Sequence, residues 1–288
     1  MLVANQKVIG VLCGVCAGAM WAAEAVLGKM LFSTFTFIQV TASEAFFAAL
    51  TAFTYVAVKR ERVRLNGRSF GRILVVGLVG TVFAPLMYFF GLSQTFAVNA
   101  TVIAHLQPVF VAVFGFSLLK ERLHKQDFIA GFLMIFAVVL ITGRTVDNLI
   151  NMRLGNFGDL VVLLATVSWA AVAIPGKQLT KEMSSVAIVA YRFLVASIVF
   201  IPVLLFLNQL VVSSVYQVLL GTLVGVGYIF YYEGLKRIKA SQVAVTELSA
   251  PFFAAVFAWN FLGETTTLMQ IAGALLLIAG LYILTKTR

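Results

Sequence analysis

Five ionisable side chains lie well inside apolar runs: Glu24, Glu44, His105, Arg192 and Glu247. Such groups are costly in hydrocarbon, so each needs a partner or a task. Carboxylates exchange protons and hold cations, a guanidinium holds a carboxylate, and an imidazole titrates near neutrality. Trp21 precedes Glu24 by three residues, which puts both on one helix face. An indole wall with one carboxylate suits a cation. Trp169 is a second indole for that wall, and Tyr88, Tyr228, Tyr231 and Tyr232 add hydroxyls. The substrate-binding candidates are therefore Trp21, Glu24, Glu44, Tyr88, His105, Trp169, Arg192, Tyr228, Tyr231 and Glu247. Glu247 lies one turn before Pro251. A proline bends a membrane helix and frees a carbonyl, and such breaks face cavities. A carboxylate there can carry a proton, so Glu247 is the proton-coupling candidate.

Each assignment has a plainer counterpart. Trp21 and Glu24 would form an interfacial tryptophan and a snorkelling carboxylate neutralised by Lys29. Glu247 would bond to Ser249 or Thr246, and His105 would be a packing residue. Glu44 and Arg192 would each meet local hydrogen bonds instead of forming one ion pair between the halves. Glu233, within a turn of Lys236 and Arg237, reads as a surface pair. Glu121 and Glu264 read as helix-terminal and structural.

The elements that position these groups are membrane helices. Hydrophobic residues make up 61% of the chain and charged residues 11%, with mean hydropathy +1.02. A soluble domain carries about 25% charged residues, so lipid must cover this surface. Apolar runs fall at about 8–30, 37–58, 73–93, 97–118, 127–143, 158–175, 185–207, 214–235, 240–262 and 267–285. The net charge of +10 resides in short loops, which excludes nucleic acid as a partner. Cys13 and Cys16 sit in the first run as small packing residues; a redox or metal site lacks further ligands nearby. No cofactor is expected. Gly10, Gly14 and Gly18 form a stripe that admits a second helix closely.

The chain repeats itself. Under a shift of 143, Gly91 aligns with Gly234, Leu92 with Leu235, Ala97 with Ala240, Pro108 with Pro251 and Glu121 with Glu264. Under a shift of 148, Trp21 aligns with Trp169, Gly28 with Gly176 and Glu44 with Arg192. The same repeat argues against reading the first run as a cleaved signal peptide. Two halves follow, 1–143 and 158–288. With the N-terminus cytoplasmic, inside segments hold 17 of the 21 lysines and arginines, and outside loops hold three. That bias puts both termini inside. Equivalent loops of the two halves differ in charge. The loop after the second run is rich in cations and its twin after the seventh has none; after the third and eighth runs the order is reversed. Five helices per half would insert the second half upside down, and the charges follow that inversion.

These features resemble the drug/metabolite transporter superfamily and, within it, paired EamA-domain proteins. The resemblance rests on Gly158-Asp159-Leu160, Ser168-Trp169-Ala170, Tyr191-Arg192-Phe193, Gly234-Leu235-Lys236 with Ala240, and Pro251 with Leu262-Gly263-Glu264. Trp21-Ala22, Gly91-Leu92, Pro108 and Leu119-Lys120-Glu121 echo them in the first half. It implies ten helices in an inverted repeat and carriage of small metabolites, often outward. The chain departs from the family where an acidic residue often precedes each of the two prolines; Gln107 and Ala250 stand there instead.

The expectation is an all-α integral membrane protein of ten helices in two inverted five-helix repeats, in the cytoplasmic membrane. It would be a secondary-active exporter of small amphipathic metabolites such as amino acids. The alternative cargo is an organic cation, choline-like or drug-like. No P-loop occurs, which leaves proton coupling or exchange as the energy source. A lipid-modifying enzyme would need a His/Asp/Cys cluster that the chain lacks. All lipid-facing surface is apolar, so exposed apolar faces carry no signal for an oligomer.

Overall fold

Runs of some 20 apolar residues with no water nearby must satisfy their backbone internally, and the α-helix does so within one segment. A computed structural model of the chain describes residues 2–58, 60, 67–92, 94–95, 97–151, 156–262 and 267–286. Among these every regular element is a helix, with no strand. Glu264, the side chain of Lys29, and the loop cations Lys59, Arg62, Arg64 and Arg153 lie outside the described residues, as does Arg288.

The first half comprises α1 (Leu2–Leu31), α2 (Phe37–Val58), α3 (Gly67–Gly77), α4 (Ala84–Leu92), α5 (Ala97–Ala104), α6 (Gln107–Leu119) and α7 (Lys125–Gly143). A short α8 (Val146–Ile150) occupies the connection between the halves. The second half comprises α9 (Phe157–Leu179), α10 (Ser185–Phe206), α11 (Val215–Arg237), α12 (Ala240–Glu247), α13 (Ala250–Leu262) and α14 (Leu268–Lys286). Nine stretches among the described residues are long and apolar enough to cross a membrane. The tenth expected span is present as the shorter apolar helix Leu268–Leu284.

Three helical runs are interrupted, each at a proline. α3 and α4 are joined by a π-helical turn, Leu78–Phe83, in which the Ala84 N–H reaches back five residues to the Val79 carbonyl. Pro85 follows at once and has no N–H to continue an α ladder. α5 stops at Ala104 and α6 restarts at Gln107, ahead of Pro108. α12 stops at Glu247 and α13 restarts at Ala250, ahead of Pro251. The last two breaks coincide under the repeat. Pro108 withholds a donor from the Ala104 carbonyl as Pro251 does from the Glu247 carbonyl.

Helix packing obeys the same exchange of halves. α1 lies along α11 as α9 lies along α4, and α2 touches α11 as α10 touches α3. α1 packs on α12 and α13 as α9 packs on α5 and α6. α2 with α10, and α7 with α14, pair across the division. A pseudo-twofold relating two odd-numbered sets of spans sets them in opposite sense, the inverted repeat of transporters. The glycine stripe of α1 serves the closest of these contacts. A Cβ at Gly14 would collide with Thr246 of α12, and one at Gly18 with Ser249 at the α12–α13 break. Large apolar residues face outward where lipid would lie, such as Phe132 at 71% exposure, whereas Arg192 is 2% exposed. The molecule is apolar outside and charged within, as a bilayer solvent requires.

Candidate functional site

The two helix breaks flank a cavity of about 550 Å³ between the halves. A small-molecule site has roughly 300–1,000 Å³. All ten candidate residues line this one cavity: Trp21 and Glu24 from α1, Glu44 from α2, Tyr88 from α4, His105 from the α5–α6 break, Trp169 from α9, Arg192 from α10, Tyr228 and Tyr231 from α11, and Glu247 from α12. Gln107, Tyr232, Pro108 and Pro251 complete its middle.

Contacts within the site differ from several expectations. Glu247 bonds neither Ser249 nor Thr246. Its Oε1 accepts from Trp21 Nε1 at 3.0 Å, tying α12 to α1. Ser249 Oγ is buried without a hydrogen-bond partner among the described residues. The Trp21 ring packs on Tyr228, centroids 4.6 Å apart. Trp169, its repeat mate, donates to the Gly80 carbonyl at 3.2 Å and packs on Tyr88 at 5.5 Å. His105 Nδ1 lies 2.7 Å from the Thr101 carbonyl, so a backbone bond holds the imidazole although its edge lines the cavity.

The expected Glu44–Arg192 ion pair is not formed. Arg192 Nε donates to Thr81 Oγ1 at 2.9 Å and Nη1 to the Tyr232 hydroxyl at 3.0 Å. Its guanidinium carbon sits 3.9 Å from the Tyr228 ring centroid. A cation over an aromatic face is held by the ring quadrupole. The π turn puts Thr81 under Arg192 and the Gly80 carbonyl under Trp169. Glu44 and Glu24 face the cavity and accept no hydrogen bond from the described residues. Glu44 interacts electrostatically with Glu24 and, without forming an ion pair, with Arg192.

The cavity is asymmetric along its length. Its lining runs from Tyr232, Ala244 and Glu247 to Gly28, Phe32, Phe89 and Leu92, at the end that carries the α1–α2 and α4–α5 connections. The opposite end is closed by polar ties, those of Glu121 and Asp127 crossing between the halves and the others lying within the second half. Glu121 reads as helix-terminal in sequence, yet it caps the partner half's helix. It accepts from Ala240 N at 2.7 Å and Ser241 Oγ at 3.0 Å, at the positive end of α12. Asp127 accepts from Lys239 Nζ at 3.0 Å and Gln242 Nε2 at 2.8 Å. Lys177 Nζ donates to the Leu235 and Ile238 carbonyls. Glu233 pairs with Arg237, as its spacing suggests, and also accepts from Ser185 Oγ at 2.7 Å. No group of three His, Cys, Asp or Glu side chains able to hold a metal occurs among the described residues.

A helical membrane protein with two twofold-related halves, and a charged cavity where helices break, is a transporter by architecture. The chain belongs to the EamA-like transporter family, whose model matches residues 8–143 and 156–286. An uncharacterized transporter of Methanothermobacter thermautotrophicus is 26% identical over 226 residues, 77% of this chain and 66% of that protein. The pseudopaline exporter CntI of Pseudomonas aeruginosa is 26% identical over 243 residues, 83% of each chain. A solved crystal structure superposes with a TM-score of 0.80 at 17% identity, over 97% of this chain and 98% of the other, which speaks to the fold alone.

Proposed function

We propose that the chain is a secondary-active exporter of small amphipathic metabolites such as amino acids, in the cytoplasmic membrane with both termini inside. One observation carries this reading: residues singled out separately in the sequence, on seven helices, line a single cavity at the symmetric helix breaks. Export is favoured by the relative named as an exporter. With the termini inside, the polar ties at Glu121, Asp127 and Lys177 close the cytoplasmic end, and the cavity reaches toward the outside. Rocking one half against the other would break the ties at Glu121 and Asp127, which join the halves, and close the aromatic end around Phe32 and Phe89, whose rings already meet at 5.2 Å.

Glu247 is the coupling group in this account. The Trp21 indole donates to it, and a hydrogen bond to an ionised carboxylate is stronger than one to the neutral acid. Protonation loosens the α1–α12 tie, so proton occupancy and helix position are linked. His105 across the break and Tyr231 on α11 face the same region. The second reading, carriage of organic cations, is supported by Glu24 and Glu44 beside Trp21 and Tyr228.

The test is transport by purified protein in proteoliposomes, with a panel of amino acids and organic cations, with and without a pH gradient. Saturable movement of at least one solute that responds to the gradient is expected. Glu247→Gln should remove the response. A carrier that moves none of these solutes contradicts the reading.

A further inference from the structure

The charged groups of the cavity are unequally satisfied. Arg192 is almost wholly buried, yet the protein uses only part of its guanidinium. Nε is taken by Thr81 and Nη1 by Tyr232, while Tyr228 covers one face. Nη2 has no hydrogen-bond partner among the described residues. It is also not among the buried atoms left unsatisfied, so it retains an opening, and Arg192 lines the cavity. No carboxylate stands within ion-pair distance of it among the described residues. The same cavity presents Glu24 and Glu44 with no donor among the described residues, and Glu247 already bonded to Trp21.

We propose that Arg192 is the specificity-determining residue of the transport site: its free Nη2 receives a carboxylate of the substrate, while Glu24 and Glu44 receive a cationic group of the same molecule. The proposal rests on the reading of the cavity as the transport site and selects a zwitterion over the organic cation. The choice follows from which groups each solute would leave unpaired once it displaces water. A simple cation meets the carboxylates and strands the Nη2 hydrogens, and a stranded buried donor is the costly outcome. A simple anion meets Nη2 but sets its charge among Glu24, Glu44 and Glu247. A zwitterion satisfies both ends. Polyanions such as phosphate esters are disfavoured by the same three carboxyl groups. Thr81, Tyr228 and Tyr232 are then positioning residues: they spend the other valences of Arg192 and leave one direction for the ligand.

The test uses sets of compounds sharing one side chain: an α-amino acid, its methyl ester, the corresponding primary amine and the corresponding carboxylic acid. Several side chains are surveyed, with a choline-like cation beside them. Binding to purified protein is read by calorimetry and by quenching of the two cavity tryptophans, and movement by proteoliposome flux. The amino acid should bind about 100-fold or more tighter than its ester or amine, as sites built around a hydrogen-bonded group discriminate. Arg192→Gln should erase that ratio while ester binding persists, and Arg192→Lys should restore part of it. Tyr232→Phe, with Arg192 intact, should shrink the ratio several-fold, which keeps the test decisive where Arg192→Gln does not fold. Equal binding of amino acid and ester, a ratio unmoved by Arg192→Gln or Tyr232→Phe, or binding by the cation and none of the amino acids would each overturn the proposal. If cations still cross the bilayer in that event, the transporter reading stands and only the role of Arg192 falls. If nothing binds or moves, both fall.

Discussion

The segments 104–108 and 247–251 do the same thing to the backbone and different things to charge. Each stops a helix one turn before a proline and exposes its ends to the cavity. In the first half the break carries His105 bonded to its own helix, at Thr101. In the second it carries Glu247 bonded to another helix, through Trp21. The contrast recurs elsewhere. Glu44 and Arg192 are repeat mates of opposite sign. Trp21 bonds a carboxylate where Trp169 bonds a carbonyl. The π turn of the first half has no counterpart in α11, which is α-helical throughout. On the proposed function, the symmetric scaffold would supply two interchangeable closures for alternating access, and the asymmetric chemistry would give one solute one binding orientation.

The comparison can be broken first at the helix contacts. Gly14 of α1 meets Thr246, and its repeat mate on α9 is Val162, a position that already holds a branched side chain. Gly14→Leu should destabilise by at least about 1–3 kcal/mol, the cost of overpacking a closed contact. Val162→Leu should cost less. Thermal unfolding in detergent compares them, and equal effects would remove the asymmetry of the α1 and α9 contacts. Next come the two breaks. Glu247→Gln should abolish the pH response of flux, whereas His105→Gln should lower the rate and keep the response. The reverse result would move the proton site to the first half.

A smaller difference is expected between the indoles. Trp21→Phe loses a bond to a carboxyl and should slow transport about tenfold while shifting its pH profile, since roughly 1.4 kcal/mol is a factor of ten. Trp169→Phe loses a neutral bond to a carbonyl and should slow it a few-fold with the profile unmoved. The smallest effect lies outside the membrane. The hydrogen bond from Ser69, with Arg72 beside it, holds the Glu182 carboxyl below its ordinary range. A carboxyl lowered on folding stabilises above its ordinary titration range, and the contribution disappears as pH falls through its folded value. Solvent screens this exposed pair, so Glu182→Gln should change stability little, and only above that range. A strong effect at low pH would mean that the α2–α3 and α9–α10 ends meet through another contact.

Much of this was legible in residue order. The repeat, the loop charges and the two prolines are local or periodic signals, and they foretold the halves, their opposed sense and the interruption at Glu247. The ten cavity residues were legible because a charge or indole in an apolar run stands out without knowledge of rotation about the helix. What each one touches was not. The repeat aligns Glu44 with Arg192, but azimuth and the π turn at Leu78–Phe83 decide that Arg192 meets Thr81 and Tyr232 instead. Pro85 is the one mark of that turn, and hydropathy alone does not separate a π from an α ladder. Glu121 hid its role for a related reason: it caps a helix 119 residues away in sequence, a pairing that depends on how the halves dock.

The central claim is that the cavity between the halves is the transport path, open to each side in turn. Substituting Ala22→Cys, at the cavity wall, in a chain carrying Cys13→Ser and Cys16→Ser would place one thiol there. Labelling with an impermeant reagent added to either side of oriented proteoliposomes during turnover should modify it from both sides, and a bound transported solute should slow both reactions. Modification from one side only, unaffected by solute, would contradict the account.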